Sequence, residues 1–412
     1  MAADRKAAAA AERAAEEAAA ASGAAGGADE ASARRAVAEA RRIVVKIGTN
    51  TITRPKGAPG PLSGGASRGE GGIDVEYLHR VAEELADLAR SGREILLVTS
   101  GAVGMGAREL GLLKRPKDLP TRQACAAIGQ PLLMEEYRRA FAVYGLSAAQ
   151  LLVTRYIWDD REAYLNLRST VEALLERRVV PVFNENDSIS TAEIAFGDND
   201  QLSAYVASKI DAELLVILSD VDSLYDADPR KNPDARRIPY VRELEPAMLE
   251  AAGGKGTEFS TGGMRTKLLA VGIARDARCR VVIAHGRERR VISRILAGES
   301  VGTLFDVSGG LKNRQRWIKN KRPQGRILVD AGALAAMRDS NSLLPRGVVG
   351  VEGRFERGAV VLVNDEAKVI TSLSSDELEA ARGRRSEELD AVLPAGASRV
   401  VARPGETVFL DE

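Results

Sequence analysis

Val179-Val180-Pro181-Val182-Phe183-Asn184-Glu185-Asn186-Asp187 is an apolar run that turns abruptly acidic and amide-rich. A short apolar run of this kind reads as a strand buried on both faces. The switch at Asn184 puts the polar residues at the strand's end, where open α/β sheets hold their ligands. A second cluster of the same character, Gly197-Asp198-Asn199-Asp200, follows closely. A carboxylate accepts from an ammonium, and an amide donates to a carboxylate. The two clusters together therefore suit a small, zwitterionic, amino-acid-like substrate, although either one alone has the composition of an ordinary turn.

The same strand type recurs outward from this stretch. Arg42 to Gly48 ends in Lys46-Ile47-Gly48, and Ile95 to Val98 runs straight into Thr99-Ser100-Gly101-Ala102-Val103-Gly104-Met105-Gly106. Further strands are expected at Leu151 to Val153, Leu214 to Leu218 and Val281 to Ala284. Helical spacing fills the gaps. Between Asp74 and Ser91, the residues Val75, Leu78, Ala82, Leu85 and Ala89 form one stripe closed by Gly92. Helices are also expected from about Thr121 to Tyr144 and near 162–178, 200–211, 264–277 and 288–297. Apolar strands alternating with helices give an α/β fold, with a mostly parallel sheet sandwiched by helices.

The pattern changes after Phe305. Residues 306–325 read as a polar, basic linker. Short segments follow at Arg326 to Val329, Val348 to Val351, Ala359 to Val363, Lys368 to Thr371 and Thr407 to Leu410, separated by turn residues. That spacing predicts a small, mostly-β domain over 326–412. Within it, Ser374 and Glu377 offer a capping box for a short helix. At the other end, residues 1–40 are Ala-rich, broken by Gly23, Gly26 and Gly27, and without a clear apolar stripe. They read as a disordered tail ahead of a catalytic domain at 41–305. Residues 54–72, dense in Pro and Gly, read as a flexible loop after the first strand.

Composition narrows the chemistry. A chain of 412 residues has room for two or three domains. Its formal net charge of +1 gives no reason to expect nucleic acid or membrane as the main partner. Cys125 and Cys279 are the only cysteines and lack metal-type spacing, which fits a reducing, cytoplasmic setting. No apolar run approaches the roughly 18 residues of a membrane helix, and no secretory signal opens the chain. With only His79 and His285 present, histidine acid–base chemistry and a histidine metal site are disfavoured.

Three glycine-containing loops lie at or near strand ends: Lys46 to Thr49, Thr99 to Gly106, and Ser260-Thr261-Gly262-Gly263-Met264-Arg265-Thr266-Lys267. Each can bring backbone N–H groups to phosphate oxygens. None is a Walker A loop or a dinucleotide fingerprint. Phosphoryl transfer needs in-line positioning and positive charge on the equatorial oxygens. If the acceptor is a carboxylate, Lys46 and Lys267 would offset the repulsion between two anions. A carboxylate is already ionised at neutral pH and needs no general base. A divalent cation on the phosphates would keep several waters, so no dedicated protein metal site is expected. The loop from Ser219 and Asp220 to Pro229 follows another buried strand and is a candidate border for a base and ribose.

The set VVKIGT, VTSGAVGMG, NENDSISTAEIAFGDNDQLSA, LSDVDSLYDADPR and STGGMRTK resembles the amino-acid kinase family. The similarity is greatest to its glutamate-phosphorylating branch, whose reaction opens proline biosynthesis. GTLF, NRQRWI and the β-rich end are similar to the PUA domain found in that branch. The resemblance implies ATP and Mg2+ as cofactors, L-glutamate as substrate and L-glutamyl 5-phosphate as product. It also implies proline as feedback inhibitor and a homo-oligomer, dimer or tetramer. Carried over by motif, Lys46, Lys267 and Asp200 are the catalytic residues. Ser100, Asp187, Asn199 and Asp198 are the substrate residues. Lys46, Gly48, Ser219, Asp220 and Thr261, Gly262, Gly263, Met264, Arg265, Thr266 and Lys267 surround the nucleotide. Ser219 stands where Thr is common in the family, and keeps the hydroxyl. Two alternatives stay open. One is a kinase of the same fold for N-acetylglutamate, aspartate, carbamate or uridylate. The other is RNA binding through the basic run from Lys312 to Arg322 with Trp317 as a stacking platform, against which a linker with Trp317 packed between domains is favoured.

Overall fold

The computed structural model describes residues 27–54, 72–112, 114, 116–190, 198–229, 232–251, 263–306, 313–394 and 396–410. The chain divides into two compact units, Met1–Ile157 with Glu162–Gly309, and Trp158–Arg161 with Gly310–Glu412.

The first unit begins with helix α1 over 27–39 and strand β1 at Arg42–Ile47. A single turn, α2 (Thr49–Ile52), leads to α3 (Val75–Arg90) and β2 (Glu94–Val98). Next come α4 (Ala102–Glu109), α5 (Leu119–Ala142), β3 (Ser147–Val153), α6 (Arg155–Asp159), α7 (Arg161–Glu176) and β4 (Val179–Glu185). The run α8 (Asn199–Lys209), β5 (Leu214–Ser219), β6 (Leu224–Tyr225), β7 (Arg237–Ile238), β8 (Tyr240–Val241) and α9 (Pro246–Ala251) follows. The unit closes with α10 (Met264–Asp276), β9 (Arg280–His285), α11 (Val291–Leu296) and β10 (Thr303–Phe305).

The main sheet has the order β3-β4-β2-β1-β5-β9-β10-β8. Its pairings are parallel except β9 with β10. The chain leaves β1 toward β2 and returns on its other side as β5, so the order reverses between β1 and β5. That switch opens a crevice at the C-terminal ends of both strands. The central strands are apolar throughout because both faces are covered; every residue of β5 is buried. Pro181 lies inside β4 without breaking it: the pairing with β2 starts one residue later, at Leu97↔Val182. The missing proline N–H therefore interrupts no bond on that side.

Two expectations are corrected here. The tail expected over 1–40 ends in a docked helix: Ala33, Val37 and Ala40 are buried in the main core. Arg34, 4% exposed, donates to the carbonyls of Pro239, Glu299 and Val301. Its buried stripe is short and made largely of alanine, so it carried little hydropathy signal. Residues 1–26 lie outside the described residues, as do residues 55–71 of the expected loop. The base of that loop is tied. Thr53 and Ile73 form an antiparallel bridge, and the Arg54 N–H donates to the Gly72 carbonyl. Arg287 donates to the Thr53 carbonyl and, at 2.8 Å, to Asp74 Oδ2, clamping both arms.

The second unit contains a sheet of β11 (Arg326–Val329), β12 (Val348–Glu352), β13 (Val360–Val363), β14 (Ala367–Ile370) and β15 (Thr407–Phe409), in the order β12-β11-β13-β14-β15. Helices α12 (Asn313–Asn320), α13 (Ala331–Arg338) and α14 (Ser375–Ala381) accompany it. The capping box starts α14 as read from sequence, with the Glu377 N–H donating to Ser374 Oγ and the Ser374 N–H to Glu377 Oε2. The linker expected over 306–325 is not a bare connector: α12 is helical and buries Ile318 against Val360 and Val408. Trp317 packs on that same cluster, within the unit, with Lys321 Nζ 4.4 Å above its ring. The ammonium of Lys368 closes the end of α12 by donating to the carbonyls of Lys319 and Lys321.

Candidate functional site

Strand β1 delivers Lys46 to the crevice with its side chain 6% exposed. Helix α8 begins beside it. Asp198 caps that helix, its Oδ1 accepting the Asp200 N–H at 3.0 Å, as a short carboxylate at a helix start should. The cap fixes Asp200 in the first turn, where its side chain is fully buried. Lys267 comes from the first turn of α10. Its Nζ is 3.1 Å from Asp200 Oδ2, while Lys46 Nζ is 2.6 Å from Asp200 Oδ1. Two ammonium groups thus converge on one carboxylate. Thr266 Oγ1 adds a hydrogen bond to Asp200 Oδ2 at 3.3 Å.

The electrostatics follow from this triad. Burial alone would raise the Asp200 carboxyl, but Lys46 and Lys267 outweigh it and hold it at about 2. Burial alone would lower the Lys46 ammonium; Asp200 and then Asp198 overcome that and raise it instead. The triad keeps one positive charge in excess, in a site screened from water. Asp198 and Asp220 also act on Lys46, so the surplus is local to the triad. Asp198 Oδ2 is buried without a hydrogen-bond partner. It is a hard oxygen of the kind a hydrated divalent cation takes.

The two amide-rich clusters meet on the other side of the crevice. Asn199 Nδ2 donates to Asn184 Oδ1 at 2.8 Å, to Ser100 Oγ at 3.0 Å and to the Thr99 carbonyl. Asn184, 2% exposed, donates in turn to Gln130 Oε1 at 2.8 Å. Gln130 donates to Gln150 Oε1 at 3.1 Å. Asp187 is half-buried in the turn after β4. Asn199 Nδ2 is engaged by three acceptors of the protein, which leaves it no hydrogen for the donation to a substrate carboxylate that the amide-rich clusters suggested, whereas Asn184 Nδ2 spends one of its two hydrogens on Gln130.

The ends of β1 and β5 form the third wall. The Gly48 N–H donates to the Leu218 carbonyl at 3.2 Å. A Cβ at Gly48 would stand 3.3 Å from Lys46 Nζ, so glycine leaves that ammonium room. Ser219 Oγ donates to Asp220 Oδ1 at 3.1 Å, and Asn50 Nδ2 to Asp220 Oδ2 at 2.9 Å. Burial would raise the Asp220 carboxyl, but these hydrogen bonds from Asn50 and Ser219 bring it below its ordinary value. Gly263 caps α10, Met264 is half-buried and Arg265 exposed. Thr261 and Gly262 lie outside the described residues.

The structure therefore brings Lys46, Lys267, Asp200 and Thr266 into one cluster, and Ser100, Asn199 and Asn184 into another. Sequence reasoning quoted Asn184 without giving it a task and passed over Asn50, Gln130 and Gln150. Gln130 lies on α5 between Gly129 and Pro131, in a helix that also carries exposed charged residues such as Arg138 and Arg139, so no local contrast marked it.

Known proteins resemble this chain over most of its length. Residues 41–285 match the amino acid kinase family, and residues 325–393 match the PUA domain. The chain is 45% identical over 363 residues to the glutamate 5-kinase of Methanosarcina acetivorans, covering 86% of this chain and 92% of that protein. It is 42% identical over 361 residues to the glutamate 5-kinase of Thermus thermophilus, covering 86% and 93% respectively. Among solved structures, carbamate kinase from Giardia lamblia bound to AMP-PNP is 15% identical, with a TM-score of 0.47 over 66% of this chain and 100% of that one. No helix among the described residues is long and apolar enough to cross a membrane. A mostly parallel sheet between helices, a β-rich C-terminal unit and relatives matched over most of their length lead to one placement: the chain belongs to the amino acid kinase family and carries a C-terminal PUA domain.

Proposed function

We propose that this chain transfers the terminal phosphoryl group of ATP to the side-chain carboxylate of L-glutamate, giving L-glutamyl 5-phosphate, the first step of proline biosynthesis. The observation that carries this reading is the Lys46–Asp200–Lys267 triad, two ammonium groups held on one buried carboxylate at 2.6 and 3.1 Å. The reaction brings an anionic nucleophile onto an anionic phosphorus centre. Lys46 and Lys267 neutralise charge on the transferring group, and Asp200 holds both at fixed spacing. Because the γ-carboxylate of glutamate is already ionised, the step needs no base. The scarcity of histidine fits that requirement.

Gly48, Ser219, Asp220 and Gly263 to Lys267 border the nucleotide, with Thr261 and Gly262 assigned to it by motif. ATP enters as its Mg2+ complex, the metal ion neutralising phosphate charge. Ser100, Asp187, Asn199 and Asp198 surround the amino acid, with the Asp187 carboxylate opposite the α-ammonium. The enzyme acts in the cytoplasm as a homo-oligomer restrained by proline. RNA binding by the PUA domain is the weaker reading, since Trp317 is engaged by Ile318's cluster and by Lys321.

ADP release measured with L-glutamate, L-aspartate and N-acetyl-L-glutamate, with and without L-proline, tests the assignment. Glutamate should be turned over fastest and proline should slow it. Faster turnover of aspartate or N-acetylglutamate would overturn the substrate, and an indifferent response to proline would overturn the regulation.

A further inference from the structure

Thr303 opens β10 and is fully buried, with 0% exposure. Its hydroxyl makes two hydrogen bonds outside its own strand. It accepts from the Leu224 N–H at 2.8 Å and donates to the Ile238 carbonyl at 2.6 Å. Leu224 and Ile238 face each other across the β6–β7 pair. One side chain therefore fastens both arms of that hairpin to the main sheet, serving as acceptor and donor at once. A hydroxyl can do this; a valine of the same shape can do neither.

The hairpin is braced within itself. Arg237 Nε donates to Ser223 Oγ at 2.9 Å, and the Tyr225 hydroxyl donates to the Asp222 carboxylate at 3.1 Å. Its far arm continues into β8, which pairs with β10. Its near arm starts at Ser219, whose carbonyl accepts the Gly286 N–H at 2.8 Å. Past Asp220, which Asn50 and Ser219 hold, the bond from Leu224 to Thr303 is the next one that ties this arm outside the hairpin, among the described residues. Val221, Asp222 and Ser223 are thus strung between two fixed points.

The sheet register gives the place of this arm. Lys46 pairs with Ile217, Ile217 with Ile283, and Ile283 with Thr303. These four residues make one row across β1, β5, β9 and β10, and three strand spacings put Thr303 about 14 Å from Lys46. The near arm leaves the end of β5 and is fastened at β10, so it spans the end of β9, the strand between them. We infer that Thr303 is a positioning residue for the nucleotide, its hydroxyl fixing the arm from Asp220 to Leu224 as the wall beside the ribose and base. The inference rests on the proposed kinase reading, which puts the terminal phosphate at Lys46 and the nucleotide against Ser219 and Asp220. A nucleotide that runs from Lys46 past those two residues is heading along the row toward β10, and the arm is what it meets.

Thr303→Val keeps the shape and removes both bonds, so the nucleotide has to order the arm as it binds. The ATP KM should rise about tenfold, with kcat and the glutamate KM within about twofold. Thr303→Ser returns a hydroxyl and should bring the ATP KM to within about twofold of wild type. Magnesium tripolyphosphate, which has the phosphates and neither ribose nor base, should inhibit wild type and Thr303→Val equally. Thr303→Cys is a gentler break should Thr303→Val fold poorly. Its thiol is a weak donor and acceptor, and the ATP KM should rise about threefold.

The inference fails if the ATP KM is unchanged in a folded Thr303→Val, if the glutamate KM rises with it, if tripolyphosphate inhibition weakens in step, or if Thr303→Ser is as impaired as Thr303→Val. A wild-type enzyme that releases no ADP with glutamate refutes the functional reading and this inference with it. A glutamate-active wild type whose Thr303 variants keep the ATP KM refutes the inference alone.

Discussion

Replacing Asp200 with Asn tests the triad most directly. The change is nearly isosteric, yet it removes the carboxylate charge that both Lys46 and Lys267 bond, at 2.6 and 3.1 Å in a site with no exposure at Asp200. Two routes give the magnitude. Removing one member of a buried ion pair costs about 3–5 kcal/mol, because the partner charge is left uncompensated. Holding the carboxyl at about 2 against an ordinary 3.8 corresponds to roughly 2 kcal/mol, each pH unit being worth about 1.4. A loss of about 2–5 kcal/mol spans both. The variant should partly recover in the presence of nucleotide, since polyphosphate resupplies negative charge to the stranded ammonium groups. Urea unfolding of wild type and variant, each with and without a non-hydrolysable ATP analogue, reads both effects. A loss below about 1 kcal/mol, or the same nucleotide stabilisation in both proteins, would refute the electrostatic reasoning. The same carboxyl predicts a pH signature in the wild type. Its contribution is fully present above the unfolded value of 3.8 and disappears as pH falls toward about 2. Asp200→Asn should flatten the acid limb of the stability curve over that interval.

Lys267→Met should lower kcat by about 100-fold or more while the glutamate KM stays within about threefold, because its charge counts most as phosphorus moves between oxygens. Steady-state kinetics decide it, and a variant whose loss lies wholly in KM would contradict the role. Arg34→Met strands the carbonyls of Pro239, Glu299 and Val301 and should cost about 2–3 kcal/mol of stability. Truncation through residue 40 should cost at least as much, since it also strips Ala33, Val37 and Ala40 from the core. Thermal unfolding tests both, and an unchanged Tm in either would show that α1 is not integral. At the α4–α5 crossing, a Cβ at Gly129 would fall 1.9 Å from the Ala102 carbonyl oxygen. Gly129→Ala should therefore lose about 3 kcal/mol or fail to fold, whereas Gly145→Ala, a turn with open space around it but φ of 74°, should lose only about 1 kcal/mol.

The strands were legible because their environment is uniform. Residues such as Val44, Val45 and Leu214 to Leu218 face helices on either side, and a run with no polar residue has few other readings. Lys46 stood out as a lysine at the end of an apolar strand and Lys267 as a cation in a glycine-containing loop, whereas Asp200 came from the motif resemblance and its bonds to both lysines were not legible. Helix α1 escaped notice because alanine contributes little hydropathy, and the buried face is completed by Arg34, whose charge argued the opposite of burial. Its guanidinium is satisfied by carbonyls more than 200 residues away in the chain, which no local pattern reveals. The donor–acceptor sense of Asn199 was beyond sequence for a related reason. An amide can serve either way, and only the Thr99 carbonyl, which must accept, makes Asn199 a donor there.

The bridge between Thr53 and Ile73 closes a stem. Below it, backbone pairing and the reach of Arg287 to both arms hold the exit from β1 and the entry to α3 in place. The tied stem thereby anchors the strand that bears Lys46 through its own neighbours: Thr53, Asp74 and Arg287 fix the position of that lysine as hinge pins fix a door, from the frame and not from the panel.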